Sequence, residues 1–513
     1  MNVLFINPNR EQMPWPTIPV GASMVATATE RAGHDVAFFD GTFSSNLAAD
    51  TARAVRERAP DVIAVTIRNI DNCNFEAPEF FLDDIRDQVV RAARRAAPDA
   101  KIVIGGSAVN VSPSDIYDHL EADYALVGEG EEAFPELLRA LGAGRGVLGV
   151  PGLLANETKS PTLLPVLDTG RLLKNEPIGG RARVADLERS VRSEAFRWVD
   201  VAKYGSRGGP YPIQTKRGCA LRCSYCVYNN IEGHAYRLRR PSDVADEIAE
   251  AIEHGVRSFD FVDSTFNLPL SHARALCDEL ASRAFGVRLS TMGLNPAGVT
   301  PELVGMMKRA GFDNVMCTPE SASEVTLQSL QKGFGKPAIE RAARALREAG
   351  MPTYWFFMLG APGETLDTVR ETLEFCEQHI PADHMVLFST GIRVYAGTPL
   401  ERSCKDSGWF DESDPLFLPS WYLSPKLDLN ELYALLVRAA ERHPNWMTNA
   451  ETILSPTAAL MMKRAFRLVG WRGPFWQHLP TVFRWAARSG VRSRGLADVA
   501  RRLAKIEDIA HHR

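Results

Sequence analysis

The first 140 residues alternate short apolar stretches with longer stretches whose apolar positions recur at helical spacing. The short stretches are rich in Val, Ile and Phe, are bounded by Pro, Gly or Asp, and occupy residues 3–8, 35–40, 62–67, 101–106 and 124–130. Such strand–helix repeats predict a Rossmann-like, doubly wound α/β domain with a parallel sheet over residues 1–140. Sheets of this kind bind ligands beyond the carboxyl ends of their strands, near the point where the strand order reverses.

The alternation stops at residue 141 and returns at residue 205. Residues 141–204 are rich in Gly, Pro and Arg, which indicates a linker that wraps around its neighbours. The strands predicted over residues 205–410 are 213–218, 258–264, 287–293, 314–321, 353–360 and 384–394. Six strands with intervening helices predict a partial (β/α)6 barrel, whose site lies at the carboxyl ends of the strands. Residues 411–513 are predicted to be mainly helical.

The composition is that of an ordinary globular protein, with 45% hydrophobic and 24% charged residues. A net charge of −4 gives no overall attraction to nucleic acid. Eight cysteines in 513 residues are too few for a disulfide framework and favour a reducing compartment. The N-terminal sequence MNVLFINPNR lacks the features of a signal peptide, and no apolar run reaches the ~18 residues of a membrane span. We therefore expect a cytoplasmic protein.

Three cysteines lie within eight residues, in the stretch KRGCALRCSYCVY that follows the first predicted barrel strand. The other five are expected to be small buried apolar residues: Cys73, Cys277, Cys317, Cys376 and Cys404. A structural zinc site is disfavoured because it needs four ligands and no second Cys-x-x-Cys or His pair exists. A redox dithiol would need only two cysteines. Three thiolates on a four-iron cluster leave one iron open to another ligand.

The spacing Cys219-x-x-x-Cys223-x-Tyr225-Cys226 resembles the signature of the radical S-adenosylmethionine (SAM) family. The resemblance implies that these cysteines hold a [4Fe-4S] cluster whose open iron binds the amino and carboxylate groups of SAM. An external donor of the flavodoxin or ferredoxin type would reduce the cluster, which then cleaves SAM to a 5′-deoxyadenosyl radical. The resemblance places Tyr225 near the adenine, although simple packing of the turn is an equal alternative.

Three later stretches, FDFVDSTFNLP, TPESASEVTLQSLQKG and FMLGAPGET, resemble strand ends of the same family, and the match covers roughly residues 205–410. The SAM-binding residues that this resemblance implies are Asp263, Asn267, Glu320, Ser321, Gly360, Pro362 and Gly363. Glu320 and Ser321 would reach the ribose or the amino-acid part, and the glycines would let the backbone approach the adenine. Taken singly, each glycine is also explained by a turn and each carboxylate by a solvated strand end.

The N-terminal domain resembles the cobalamin-binding domain of one radical SAM subclass. The pieces that carry this resemblance are INPNR, PTIPVGASMVA, FFDGT, GGSAVNVSP and VGEGEEAFPELL. The cobalamin-binding residues that it implies are Asn7, Pro19, Gly21, Asp40, Arg68, Gly105, Gly106, Ser107, Gly128, Glu129 and Gly130.

One departure from the cobalamin pattern concerns the lower face of the cobalt. Domains that bind cobalt through histidine carry Asp-x-His-x-x-Gly after the first strand, whereas here the sequence is NPNR. His34 and His119 are the only histidines in the first 140 residues, and His34 precedes a strand. We therefore expect no protein histidine on cobalt. Arg68 would occupy the lower face without coordinating; an ordinary salt-bridged arginine is the alternative.

The end of the chain is basic and rich in tryptophan. Residues 456–513 hold 12 Lys and Arg against 3 acidic residues, interleaved with Trp471, Trp476 and Trp485. This pattern is typical of a segment that contacts a membrane surface or an anionic ligand. Docking against the acidic remainder of the chain is the alternative, and nucleic acid is not expected. The pattern favours peripheral membrane contact.

The combined resemblance implies a cobalamin-dependent radical SAM methyltransferase that acts on an unactivated carbon, or on phosphorus, of a small-molecule or lipid-type substrate. One alternative keeps both cofactors but catalyses a cyclisation, ring contraction or carbon–carbon coupling without methyl transfer. Another is a cobalamin-binding regulatory module, which has no need of an open iron. A methylthiotransferase is disfavoured because the first 140 residues lack three cysteines for a second cluster.

Overall fold

A computed structural model of the chain describes residues 1–147, 149–155, 180–187 and 192–448, together with scattered positions between 461 and 482. In these parts of the chain no helix is long and apolar enough to cross a membrane. The basic segment 456–513, with its three tryptophans, lies outside the described residues apart from those scattered positions.

The N-terminal domain is built on one six-stranded sheet. Its strands are β1 (Asn2–Asn7), β2 (Asp35–Asp40), β3 (Val62–Thr66), β4 (Lys101–Gly105), β5 (Tyr124–Leu126) and β6 (Leu153–Ala155). They lie in the order β2-β1-β3-β4-β5-β6, with β1 to β5 parallel and β6 antiparallel to β5. The five predicted parallel strands are confirmed. The strand order reverses between β1 and β3, so the expected ligand site lies at their carboxyl ends.

Helices cover both faces of this sheet. They are α1 (Val20–Arg31), α2 (Leu47–Arg58), α3 (Leu82–Ile85), α4 (Arg91–Ala96), α5 (Pro113–His119) and α6 (Gly130–Gly142). Alternate residues of β1 enter different cores, Val3 and Phe5 on one face and Leu4 and Ile6 on the other. Burial on both faces explains why the strands are continuously apolar in sequence.

The second half of the chain forms an open barrel of parallel strands with two small ribbons. Its strands are β7 (Tyr211–Ile213), β8 (Lys216–Arg217), β9 (Arg237–Leu238), β10 (Ser258–Phe261), β11 (Arg288–Thr291), β12 (Val315–Glu320), β13 (Thr353–Leu359), β14 (Met385–Thr390), β15 (Ile392–Arg393), β16 (Trp421–Tyr422) and β17 (Trp446–Thr448). The orders are β11-β10-β7 and β12-β13-β14-β17, and a parallel bridge between Leu294 and Cys317 joins the two sheets. The six predicted strands are present. A seventh, β17, pairs with β14 and extends the sheet beyond residue 410.

The helices of this half lie mainly outside the strands. They are α7 (Ala195–Trp198), α8 (Val201–Ser206), α9 (Tyr228–Glu232), α10 (Pro241–Glu253), α11 (Leu270–Arg283), α12 (Pro301–Ala310), α13 (Glu324–Ser329), α14 (Lys336–Glu348), α15 (Leu366–His379), α16 (Pro399–Asp406) and α17 (Leu429–Arg442). The outward side chains of β13, such as Trp355 and Phe357, are buried against this layer. The alternate residues Tyr354, Phe356 and Met358 are only half-buried and face the barrel lumen.

A loop after β3 connects the two halves. Asp71 forms a buried ion pair with Arg393 at 2.8 Å. The Tyr433 hydroxyl donates a hydrogen bond to Glu76 Oε1 at 2.8 Å. These contacts bring the carboxyl edge of the N-terminal sheet against the last strands of the barrel.

Candidate active site

The cysteine loop is anchored through its backbone. Gly218, just before Cys219, has a φ of +91°, and a Cβ there would lie 2.0 Å from the Ala235 carbonyl oxygen. Only glycine fits such a turn. Further along, the Ser224 amide donates to the Leu330 carbonyl oxygen at 3.0 Å. The loop is therefore fixed at Gly218 and at Ser224 without using the cysteine side chains.

The chemistry of the three thiols fits an iron–sulfur cluster. Cys219 and Cys223 are buried and Cys226 is half-buried. Burial raises the pKa of Cys226 to about 12, so a thiolate there needs a nearby cation such as iron. In the described part of the chain, no three His, Cys, Asp or Glu side chains converge on one metal ion. In a cubane each thiolate binds a different iron, so this spacing suits a cluster better than mononuclear zinc.

Tyr225 and Glu320 meet beside the cysteine loop. The Tyr225 hydroxyl donates to Glu320 Oε1 at 3.0 Å. Lys332 forms a buried ion pair with Glu320, and its Nζ donates to the Tyr225 hydroxyl at 3.2 Å. Glu320 has a φ of +63°, a left-handed backbone that costs of order 1–3 kcal/mol in a non-glycine residue. The structure thus joins two predicted SAM-binding residues through a lysine that the sequence did not single out.

Asp263 and Asn267 are engaged within the protein. Asp263 accepts hydrogen bonds from the Thr215 amide at 2.7 Å and the Thr215 hydroxyl at 2.6 Å, and from Lys216 Nζ at 3.1 Å. Asn267 exchanges two hydrogen bonds with the Asn295 backbone, at 2.8 and 2.9 Å. Both side chains are buried, so they position the loops around the site and have little surface left for SAM.

The turn after β13 holds the remaining predicted SAM residues. Gly360 has a φ of +107° and Gly363 a φ of +79°; Gly363 is exposed and Pro362 half-buried. The Gly360 amide donates to Glu364 Oε2 at 2.5 Å. Ser321 is fully buried, with its hydroxyl 3.2 Å from that of Thr372. Gly363 and Pro362 are therefore accessible to a ligand, whereas Ser321 supports the turn from behind.

At the carboxyl edge of the N-terminal sheet, polar side chains from β1 and β2 form a network. Asn7 Nδ2 donates to Asp40 Oδ1 at 2.9 Å and to the Thr42 hydroxyl at 3.0 Å. The Tyr204 hydroxyl, which belongs to the second half of the chain, donates to Asp40 Oδ2 at 2.9 Å. Two predicted cobalamin-binding residues are thus brought together, and they also connect the domains.

Two glycines at this edge allow close backbone approach. Gly106 has a φ of +105°, and a Cβ there would lie 2.5 Å from the Ile67 carbonyl oxygen. Gly128 has a φ of +108°, and its Cβ would lie 2.2 Å from the Ala182 carbonyl oxygen. Both close contacts are with the protein's own backbone, so these glycines allow the loops at the carboxyl edge of the sheet to pack closely together.

The other predicted cobalamin-binding residues lie in the same set of loops. Pro19 immediately precedes α1, and Gly21 is exposed, so that a Cβ added there would have no heavy atom within 4 Å. Gly130 begins α6. A Cβ at Gly105 would meet only the Leu126 carbonyl oxygen, at 3.9 Å. Gly21 and Gly105 thus leave room for a ligand.

Glu129 lies in an ion network between the domains. Its carboxylate pairs with Arg237 and lies 3.2 Å from Arg217 Nη1. The Val184 amide donates to Glu129 Oε2 at 2.6 Å. Arg217, next to the cysteine loop, also pairs with Glu131. The opposing arginines lower the pKa of Glu129 against the effect of burial. These contacts attach the cysteine loop to the N-terminal domain.

Arg68 follows β3 and faces the other domain. It forms no ion pair within the described residues, and the residue is exposed. Partial desolvation lowers the pKa of its guanidinium, while the charges of Tyr228 and Glu11 oppose that change. The Ser107 hydroxyl donates to the Arg68 carbonyl oxygen at 2.6 Å. Its position at the ligand face therefore stays a prediction.

Both histidines of the domain are engaged within the protein. His34 precedes β2 at its amino end, with Nδ1 3.4 Å from the N-terminal amine. His119 Nε2 lies 3.1 Å from Asp83 and its ring packs edge-on against Phe417.

Sequence reasoning missed Lys332, Arg217 and Glu131. Lys332 lies in a stretch, QKG, that carries no spacing signal. Arg217 and Glu131 belong to quoted motifs, but opposite charges in motifs 86 residues apart do not indicate a contact without the fold.

Comparisons with known proteins agree with this arrangement. The radical SAM superfamily model matches residues 213–376, and the B12 binding domain model matches residues 13–138. The chain thus carries a radical SAM domain preceded by a B12-binding domain. The predicted domain types, their order and the cofactor set of a [4Fe-4S] cluster, SAM and cobalamin are therefore confirmed.

Individual relatives are similar over most of their length. The tryptophan 2-C-methyltransferase of Streptomyces laurentii is 26% identical over 449 residues, which cover 78% of this chain and 74% of that enzyme. The cytidylyl-2-hydroxyethylphosphonate methyltransferase of Streptomyces wedmorensis is 23% identical over 81% of this chain and 84% of that enzyme.

A solved structure shares the whole fold. It is the radical SAM methyltransferase TsrM from Kitasatospora setae with cobalamin and a [4Fe-4S] cluster bound. The TM-score is 0.78 at 24% identity, covering 96% of this chain and 99% of that one. The predicted α/β architecture, with an N-terminal doubly wound domain ahead of a partial barrel, is confirmed.

Proposed function

We propose that the protein is a cobalamin-dependent methyltransferase that methylates an unactivated carbon, or phosphorus, of a small-molecule or lipid-type substrate. Methyltransferases among its relatives support this assignment. When bound, the cluster and SAM supply one-electron and radical chemistry and the methyl donor, and cobalamin carries the methyl group.

The observation that carries the proposal is the position of Tyr228 between the two predicted cofactor sites. Tyr228 follows Cys226 by two residues and is 41% exposed, and partial desolvation raises the pKa of its phenol to about 12. The neighbouring Cys226 contributes to that rise, whereas Arg68 of the other domain opposes it. One side chain thus lies within electrostatic range of groups from both sites, which supports a placement of the two cofactors on either side of it.

In this arrangement, Cys219, Cys223 and Cys226 would hold the cluster. Tyr225, Glu320 and the turn at Gly360–Gly363 would contact SAM. On the other side, Arg68 and the loops at Gly21 and Gly105 would contact cobalamin, with Arg68 at its lower face. The ion network around Glu129 would fix the distance between the two cofactors.

The proposed surroundings of the enzyme are cytoplasmic, with a flavodoxin or ferredoxin as electron donor. The basic residues of segment 456–513 would contact an anionic membrane surface, each contributing about 1 kcal/mol of attraction. Flotation with anionic vesicles at low and high salt tests that contact, and its absence at low salt would contradict it.

The activity is testable without knowing the substrate. Anaerobically reconstituted protein should contain about four irons and, with SAM carrying a deuterated methyl group, should yield cobalamin with a deuterated methyl group and 5′-deoxyadenosine. Both are read by mass spectrometry. The same labelled SAM identifies the substrate by a mass shift in candidate products, and products without the label would indicate the cyclisation or coupling alternative.

The control replaces Cys219, Cys223 and Cys226 by Ala. This variant should lose iron and 5′-deoxyadenosine but still bind cobalamin, because the N-terminal domain has its own core. Zinc in place of iron, or labelled SAM that leaves cobalamin unlabelled, would contradict the proposal.

A further inference from the structure

The ribbon of β8 and β9 places Tyr236 beside the first cysteine of the cysteine loop. The two strands pair antiparallel, and continuing their register by one residue sets Gly218 opposite Tyr236. The two segments stay in contact beyond the ribbon, because the Cys219 amide donates to the Gly233 carbonyl oxygen at 3.0 Å. The backbone pairing thus holds Tyr236 next to Cys219.

The hydroxyl of Tyr236 is buried without a regular partner. Its oxygen is shielded from solvent, and no donor or acceptor in the described part of the chain meets it in hydrogen-bonding geometry. Desolvation raises the pKa of the phenol to about 12, and the nearby Cys219 adds to that rise, whereas the Ala220 amide opposes it. The phenol therefore keeps its proton at neutral pH and can act as a donor.

A buried hydroxyl without a hydrogen bond is uncommon in folded proteins and calls for an explanation. Cys219, which is 6% exposed, can provide the acceptor. A thiol is a weak acceptor, whereas a thiolate on iron carries negative charge and accepts a hydrogen bond more strongly. The orphan hydroxyl of Tyr236 therefore fits a cluster that is held by Cys219.

We propose that the Tyr236 hydroxyl donates a hydrogen bond to the Cys219 sulfur and thereby makes the iron–sulfur cluster easier to reduce. Reduction adds one electron from a one-electron donor and increases the negative charge on the cluster sulfurs, while the phenol keeps its proton. A hydrogen-bond donor stabilises this more negative form, and hydrogen bonds to the sulfurs help to set the reduction potential.

Tyr236 is in this sense a positioning residue, because it acts on the cluster through one of its ligands. The inference goes beyond the proposed function. It needs the cluster, but it does not depend on whether a methyl group is transferred.

The reduction potential of the cluster tests the hydrogen bond. Tyr236→Phe removes the hydroxyl and keeps the ring. In the anaerobically reconstituted holoenzyme without SAM, a redox titration followed by the electron paramagnetic resonance signal of the reduced cluster should give a more negative midpoint potential than in the wild type. The iron content should stay unchanged.

A second substitution separates the hydrogen bond from a role of the ring in packing. Replacement of Tyr236 by 3-fluorotyrosine keeps the hydroxyl and makes it more acidic, so that it becomes a stronger donor. The midpoint potential should then become more positive than in the wild type. This protein also decides the matter where Tyr236→Phe takes up too little iron, since an unchanged or more negative potential would contradict the hydrogen bond.

Tyr117→Phe is the matched control. Tyr117 lies in the N-terminal domain, where its hydroxyl donates to the Asp123 carbonyl oxygen at 3.1 Å. This variant also loses a buried tyrosine hydroxyl, but away from the cysteine loop, and should keep the wild-type potential. Wild-type potentials in both Tyr236 proteins, or an equal shift in Tyr117→Phe, overturn the inference.

The labelled-methyl experiment keeps the two proposals apart. Cobalamin left unlabelled by the wild type would contradict the proposed function, and the comparison of potentials would still decide the role of Tyr236. Labelled cobalamin together with an unchanged potential in both Tyr236 proteins would contradict only the hydrogen bond to Cys219.

Discussion

Glu364 shows how a single buried carboxyl group organises the turn that carries Gly360 and Gly363. Its Oε2 accepts the amides of Gly360 at 2.5 Å and Ala361 at 3.0 Å, yet burial still raises its pKa to about 7. The folded protein therefore keeps a proton that the unfolded chain releases near its ordinary pKa of 4.5. Stability should fall as the pH rises between these values, because the folded state binds more protons there.

Glu364→Gln tests this dependence. Glutamine keeps an oxygen that can accept hydrogen bonds from both amides, but it does not ionise. The melting temperature of the variant should therefore fall less than that of the wild type between pH 5 and pH 8. The pKa of Asp260 is also raised, so the melting temperature of Glu364→Gln should still fall slightly with rising pH. Glu371→Gln, on the exposed side of α15, should follow the wild type. Parallel curves for all three proteins would contradict the assignment to Glu364.

At the residue scale, motif spacing predicted which residue types lie near the site but not their contacts. Tyr225 and Glu320 do come together, 95 positions apart in sequence. Asp263 follows a strand as expected, but its carboxylate is used by Thr215 and Lys216. The sequence does not distinguish a carboxylate that faces a ligand from one that accepts a hydrogen bond from a neighbouring amide. The difference depends on how the surrounding loops pack.

At the element scale, the cysteine loop depends on the backbone of Gly218. Its φ of +91° and the 2.0 Å approach to the Ala235 carbonyl oxygen leave no space for a methyl group. Gly218→Ala should displace the loop and lower the iron content after anaerobic reconstitution, with cobalamin binding unchanged. Gly255→Ala is the matched control, because Gly255 has a φ of +85° but a Cβ added there would have no heavy atom within 4 Å.

The iron content and the spectrum of the reduced cluster are measured for both variants and the wild type. Equal loss of iron in both variants would mean that the left-handed backbone alone matters, and unchanged iron in Gly218→Ala would contradict the close contact.

Hydrophobic patterning predicted the strands that lie inside a sheet with helices on both faces. β1, β3 and β4 are almost wholly apolar because both faces are covered. β6 and β17 were missed because each has only three residues, too few to show a period. Their pairing depends on sheet edges that β5 and β14 provide, which is a property of the assembled fold.

At the scale of the whole molecule, the two domains are joined by buried charges. Arg217 pairs with Glu131 across the domain boundary, and Arg393 pairs with Asp71. Buried pairs contribute little net stability, but removing one partner leaves an uncompensated charge. They therefore fix the orientation of the domains, in which Arg68 lies within electrostatic range of Tyr228.

Arg68 makes this arrangement testable through the cobalt. If its guanidinium covers the lower face, Arg68→Ala should admit water as an axial ligand and make the Co(II) form harder to reduce, because solvent access and axial ligation set the potential of a metal centre. Electron paramagnetic resonance of wild-type Co(II) should show no nitrogen splitting, since both domain histidines are engaged within the protein. Arg56→Ala, on the exposed side of α2, should keep the wild-type potential. Nitrogen splitting in the wild type, or an unchanged potential in Arg68→Ala, would remove Arg68 from the cobalt site.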